Sequence, residues 1–169
     1  MIEILLYGIL GILLLLIFSL MFAPLIVGAP FQPSNRKRLD IMMRFSNVKK
    51  GEKVVDIGSG NGKVVIEMAK RGAQAHGYEI SPLLVWISRR NIKKAGLKGK
   101  AFIHWGNFWK VDLSNFDVVS TFQVFYVMPK LEKKLKKELK SGARVVSNTW
   151  KFNDWKPIKK EGGVYLYKL

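Results

Sequence analysis

The stretch Asp56-Ile57-Gly58-Ser59-Gly60-Asn61-Gly62 decides the fold. Before it, Lys53–Ile57 reads as an apolar strand. After it, Gly62–Arg71 sets Val64, Val65, Met68 and Ala69 on one helical face. A strand that passes through glycines into a helix is the first turn of a doubly wound α/β sheet, whose ligand lies beyond the C-terminal strand ends. Glycines there allow positive φ and close approach of backbone to ligand. The spacing is G-x-G-x-G, whereas dinucleotide sites use G-x-G-x-x-G with pyrophosphate on the helix N-terminus. Asp56, two residues before the first glycine, would repel a pyrophosphate. It suits a ligand that carries an ammonium group.

Working outward, strands and helices alternate. Gln74–Ile80 is a strand. Ser81 caps the next helix, with Pro82 at its first position, and that helix ends near Gly96. Ala101–Trp105 and Phe116–Thr121 are strands, Pro129–Leu139 a basic helix, and Ala143–Asn148 another strand. Val164–Lys168, after Gly162-Gly163, closes the chain as a hairpin. The expected fold is α/β: a Rossmann-like, mostly parallel sheet with helices on both faces and an antiparallel C-terminal hairpin. Glu79 ends the second strand, where an acid accepts hydrogen bonds from ribose hydroxyls, with Ile80 beside it. Asn107 follows the third strand, in reach of an adenine amine, and Phe108 or Trp109 offers a ring to stack on. The expected cofactor set is Asp56, Gly58, Ser59, Gly60, Gly62, Glu79, Ile80, Asn107 and Phe108. The expected cofactor is S-adenosylmethionine, leaving as S-adenosylhomocysteine.

Composition narrows the chemistry. The chain has 169 residues and no cysteine, which excludes disulfides and thiolate metal sites. With only His76 and His104, zinc hydrolysis and a Ser-His-Asp triad have little material, and no metal is expected. The net charge is +17, and every Lys and Arg follows position 35. Such a field attracts polyanions, either nucleic acid or an anionic bilayer face.

Ile4–Val27 contains no charged residue. As a helix it would be about 36 Å long, enough to span a hydrocarbon core of about 30 Å with some tilt. Gly28 and Ala29 resemble a signal cleavage site, but Glu3 replaces the basic n-region and the apolar run is too long. Arg36, Lys37, Arg38 and Arg44 follow the span, which predicts a single-pass anchor with the catalytic domain in the cytoplasm. The expected division is a transmembrane helix at 1–28, a Pro-rich connector and short helix at 29–50, and a methyltransferase domain at 51–169. Within the second, Arg36–Phe45 is an amphipathic helix with Leu39, Met42 and Met43 on one side.

The glycine loop resembles the first motif of class I, seven-β-strand methyltransferases. Ala29-Pro30-Phe31-Gln32-Pro33-Ser34, Gly77-Tyr78-Glu79-Ile80-Ser81-Pro82, Asn107-Phe108-Trp109-Lys110 and Met128-Pro129-Lys130-Leu131-Glu132 extend the likeness. Together they resemble the single-pass membrane protein-lysine methyltransferases. The mitochondrial members of that family act on the adenine nucleotide translocator and the rotor-ring c protein of ATP synthase. The resemblance implies Asp56, Gly58 and Gly60 around the methionine moiety, Glu79 at the ribose, and Asn107 with Phe108 at the adenine. Three departures stand out. Asn107 takes the place of an Asp, Gln123-Val124-Phe125-Tyr126 replaces a Gly-Val-Pro-Gln-like stretch, and Asn148-Thr149-Trp150-Lys151-Phe152 replaces an Arg-Phe-Pro-Phe-like stretch.

These last two stretches follow strands four and five and would face the acceptor. The acceptor-binding residues are expected to be Gln123, Phe125, Tyr126 and Trp150, with Tyr126, Asn148 and Trp150 as candidate catalytic residues. The alternative for these rings is ordinary core packing. The expected activity is methyl transfer to a lysine of a membrane-associated protein; the alternative acceptor is a lipid or lipophilic small molecule. Nucleic acid is disfavoured, because Thr121-Phe122-Gln123-Val124 stands where base methyltransferases carry an Asn/Asp-Pro-Pro-aromatic motif. The lysines of Pro129–Leu139 suit either anionic headgroups or plain solvent with i,i+4 ion pairs.

Overall fold

A computed structural model describes residues 2–27 and 35–169. The Pro-rich stretch Ala29–Ser34, and with it the first part of the expected connector, lies outside the described residues.

The chain opens with α1 (Ile2–Val27), a helix long and apolar enough to cross a membrane, its Ile2–Ser19 window unburied. α2 (Arg36–Ser46) follows, its N-terminus capped by Asn35 Oδ1 accepting from Arg38 N. Leu39, Ile41, Met42, Met43 and Phe45 are buried on its inner face.

The rest alternates: β1 (Lys53–Ile57), α3 (Lys63–Lys70), β2 (Gln74–Glu79), α4 (Pro82–Lys94), β3 (Ala101–Trp105), β4 (Val118–Thr121), α5 (Met128–Glu138), β5 (Arg144–Asn148), β6 (Lys159–Glu161) and β7 (Val164–Lys168). They form one seven-stranded sheet in the order β3-β2-β1-β4-β5-β7-β6. β1 to β5 are parallel, and β7 runs antiparallel to β5 and β6. The strand order reverses between β2-β1 and β4, so the switch point lies at the C-terminal ends of β1 and β4.

Alternation along each strand feeds two cores. Val54, Val118 and Val146 face α2, α3 and α4, while Val55, Val119 and Val145 face α5. Val54, Val55 and Val65 are fully buried; each stabilises the fold by about 1.5–3 kcal/mol relative to exposure.

The expectation of helices on both faces holds unevenly. Between β3 and β4 the chain makes only a 3₁₀ turn, Phe108–Lys110, before returning through Leu113 and Phe116. Among the described residues, no crossover helix therefore covers the sheet at β2 and β3 on the α5 side. There His76, Tyr78, Phe102 and His104 cover one another instead. His76 stacks on Phe102 and His104 at 5.1 and 5.3 Å between centroids, and Tyr78 on His104 at 4.7 Å. The ring nitrogens His76 Nδ1 and His104 Nε2 are 2.9 Å apart. Partial burial holds both imidazoles below the usual histidine range.

Candidate active site

The glycine loop is fixed by backbone bonds to β2. Gly58 N and Ser59 N both donate to Tyr78 O at 3.0 Å, and Gly62 N donates to Ser59 O at 2.9 Å. Gly58 and Gly62 sit at φ +78° and +79°, a region that costs other residues strain. Gly62 also lets α3 pack on α4, since a Cβ there would meet Ser88 Cβ at 2.9 Å. Ser59 helps to shape the loop: its Oγ is buried over Gly77, where an added Cβ would come within 2.7 Å of it.

Glu79 joins this loop to the next. Its Oε2 accepts from Gly60 N at 2.9 Å and its Oε1 from Ser81 N at 2.8 Å. Each carboxylate oxygen has two acceptor sites, so each keeps one for a ligand hydroxyl. Ile80 is half-buried beside it, its carbonyl held by Trp105 Nε1 at 2.9 Å.

Asp56 is buried at the end of β1, where the Ser120 hydroxyl of β4 donates to its Oδ1. Burial pushes its carboxyl from the ordinary 3.8 to about 7; the Ser120 bond pulls the other way and the Glu79 charge adds to the rise. Ser120 had no sequence signal of its own. It meets Asp56 because the two are register partners across β1 and β4.

Gln123 stands elsewhere than expected. It does not line the open edge but lies buried over the glycine loop, with Nε2 donating to Ile57 O at 3.0 Å. A Cβ on Gly58 would meet that Nε2 at 2.6 Å. Among the described residues, three buried side-chain atoms have no hydrogen-bond partner: Ser59 Oγ, Thr121 Oγ1 and Gln123 Oε1. The last two stand at the switch point, Thr121 being the register partner of Ile57. Buried polar atoms are rarely left unpaired, so these two point to a polar ligand. Glycine backbone, spare Glu79 acceptors and unpaired acceptors at the switch point together fit a nucleoside carrying a cationic amino-acid arm.

Just after β3, Asn107 Oδ1 accepts from Trp109 N at 3.0 Å and so caps the 3₁₀ turn. Phe108 is buried in the α5-side core, so the stacking face expected of it is used in packing. The Trp109 ring lies 4.7 Å from the Lys130 ammonium.

Of the aromatic residues after β4 and β5, Phe152 is a core ring, but Phe125, Tyr126 and Trp150 are not. Phe125, Tyr126 and Trp150 are 64%, 53% and 41% exposed. Phe125 meets Tyr126 edge-on at 5.4 Å and Trp150 at 5.7 Å, which makes an open aromatic mouth at the same strand ends as the glycine loop. Asn148, which ends β5, is fully buried. Thr149, which follows it, has φ +75°, a strained conformation for a β-branched residue. Three contacts hold it: Thr149 N to Gly163 O at 2.7 Å, Arg38 Nη1 to Thr149 Oγ1 at 2.7 Å, and Thr149 Oγ1 to Asn148 Oδ1 at 3.2 Å. Arg38 and Thr149 are site-shaping residues that motif spacing could not reveal, because they are 111 positions apart.

A mixed seven-stranded sheet with this strand order, a glycine loop after β1 and an acid ending β2 match a class I methyltransferase architecture. The family described as the ANTKMT methyltransferase domain matches residues 56–159. The chain belongs to that family. It is 42% identical over 131 residues to a mouse protein named as the lysine N-methyltransferase of the ATP synthase c-subunit, covering 78% of this chain and 53% of that one. It is 38% identical over 150 residues to a protein-lysine N-methyltransferase of Saccharolobus islandicus, covering 83% and 93%. Among solved structures, an RNA methyltransferase from Salinibacter ruber in complex with S-adenosylhomocysteine matches with TM-score 0.75 at 30% identity, covering 80% and 91%. The chain thus spans about half the length of the mouse relative.

Proposed function

We propose that this chain is a membrane-anchored, S-adenosylmethionine-dependent methyltransferase that modifies a lysine side chain of a membrane-associated protein. The observation that carries the proposal is the open aromatic mouth of Phe125, Tyr126 and Trp150 at the strand ends that also hold the glycine loop and Glu79. The relatives named for lysine methylation support the acceptor. The apolar helix α1 supports the anchor.

When bound, the cofactor supplies a methyl group on a sulfonium sulfur, and the bonding pair stays with sulfur as the new C–N bond forms. Glu79 would accept from the ribose hydroxyls. Asp56, Thr121 Oγ1 and Gln123 Oε1 would offer acceptors to the ammonium end. The glycine backbone would let that arm lie close to the loop, with Asn107 toward the adenine. Phe125, Tyr126 and Trp150 strip water from an entering lysine and so lower its pKa toward the neutral amine that can attack. The proton leaves through the open mouth to solvent. Holding amine and methyl in line supplies much of the rate.

The net charge of +17 and the Salinibacter relative favour RNA as a second reading of the acceptor. Incubating the full chain with host membranes, total RNA and tritiated methyl donor separates the acceptors. Label is expected in protein, surviving acid hydrolysis as methyl-lysine. Label in RNA or in the organic extract would overturn the lysine reading.

A further inference from the structure

We propose that the catalytic edge of the sheet docks flat on the surface of an anionic bilayer. The inference builds on the membrane-anchored reading above and names the face of the domain that meets the lipid.

Leu83, Trp86, Trp105, Phe125, Tyr126 and Trp150 are the exposed large apolar residues of the domain after position 35, with Ile158 the exception. All six lie at one edge. Leu83 and Trp86 are in the first turns of α4, just after β2 ends at Glu79. Trp105 ends β3, Phe125 and Tyr126 follow β4, and Trp150 follows β5. Clustered exposed apolar surface marks a docking face, and Trp and Tyr are the side chains that favour the membrane–water interface.

Cations stand beside the rings at this edge. Arg90 lies 5.6 Å from the Trp86 ring centroid, and exposed Lys110 and Lys151 follow Trp109 and Trp150 in sequence. α4 contains no acid. Of the acids at the strand ends, Asp56 and Glu79 are buried and Glu161 is bound to Arg44 at 2.5 Å. Aromatic rings flanked by cations whose stems can extend toward headgroups match an anionic interface.

The chain's own connectivity brings this edge to the membrane. α2 begins at it, since Arg38 in its first turn reaches Thr149 just beyond β5. Val27, which ends α1, and Asn35, which caps α2, are eight residues apart. Eight residues reach at most about 28 Å, whatever path they take. An α1 that spans a bilayer therefore holds the start of α2, and the catalytic edge at which it begins, within about 28 Å of the surface.

All five tryptophans lie after position 80, and none is in α1. Tryptophan emission therefore reports on the domain and not on the anchor. The full chain is reconstituted into phosphatidylcholine vesicles with or without phosphatidylglycerol, using plain or brominated acyl chains. In phosphatidylglycerol vesicles, brominated chains are expected to lower the emission at least twofold, and a Leu83→Ser/Trp86→Ser variant with unchanged cofactor affinity to lose at least half of that quenching. A chain that floats with the vesicles but is not quenched overturns the docking while leaving the anchor intact. A chain that does not float overturns both. Methyl-lysine formation on an accessible acceptor is scored separately and is independent of either result.

Discussion

At the scale of single residues, Asp56 and Thr149 are held in unfavourable states at the site. Asp56 keeps its proton to about pH 7 in the folded chain and loses it near 3.8 in the unfolded one. The folded state thus binds more protons between those values, and Asp56 costs stability increasingly as pH rises through that window. A cationic ligand beside it favours the carboxylate, so binding releases a proton. S-adenosylmethionine affinity, measured by titration calorimetry, is expected to rise by as much as about tenfold per pH unit between about pH 5.5 and 7. Asp56→Asn is expected to flatten that slope; an unchanged slope would remove Asp56 from the coupling.

Thr149 is strained at φ +75° and anchored by Arg38. Thr149→Val keeps the strain and loses the hydroxyl bonds, so it is expected to cost about 1–3 kcal/mol by denaturant unfolding. Thr149→Gly relieves the strain and should unfold later than Thr149→Val. Both should raise KM for the acceptor more than for the cofactor, because Trp150 loses its support. The glycine turn and the acid that ends β2 were legible in the sequence because local spacing within the first strand–turn–helix–strand unit locates them. Ser120 and Arg38 were not, because only the folded register brings them to Asp56 and Thr149.

At the scale of elements, β2 supports the loop through a missing side chain. A Cβ on Gly77 would stand 2.7 Å from Ser59 Cβ, Ser59 Oγ and Ile103 Cδ1. Gly77→Ala must push the glycine loop off β2, at a cost of about 1–3 kcal/mol, and is expected to weaken cofactor binding more than acceptor binding. Equal stability and affinity to the wild type would show that the loop can yield.

The basic helix α5 has a structural use on its inner face. Buried Glu132 accepts from Asn153 N and Asp154 N at 3.0 and 3.2 Å and from Lys136 at 2.6 Å, which ties the segment after β5 to the helix. Lys134 bridges Glu138 and Val111 O. Glu132→Ala leaves those amides unpaired and is expected to lower stability by about 2–3 kcal/mol, read from thermal unfolding. The exposed lysines supply the outward field. Strand and helix positions followed from apolar periodicity. The short turn between β3 and β4 was harder to read, since Phe108, Leu113 and Phe116 are apolar without helical spacing.

At the scale of the whole molecule, one edge of one sheet gathers the cofactor loop, the aromatic mouth and the start of α2. Parallel strands put every loop that follows them at the same end, so the glycine loop, Glu79, the exposed rings and the start of α2 converge there by topology. The mouth faces outward because no described element covers the ends of β4 and β5. The sequence alone left these rings between core and site; only their exposure separates the two. Lysine methylation by this site is tested most directly by mass spectrometry of membrane proteins from host cells lacking the gene, complemented with the wild-type chain or with Glu79→Ala. A methyl-lysine is expected that disappears on deletion, returns with the wild type and stays absent with Glu79→Ala. Methyl-lysines unchanged across all three strains would contradict it.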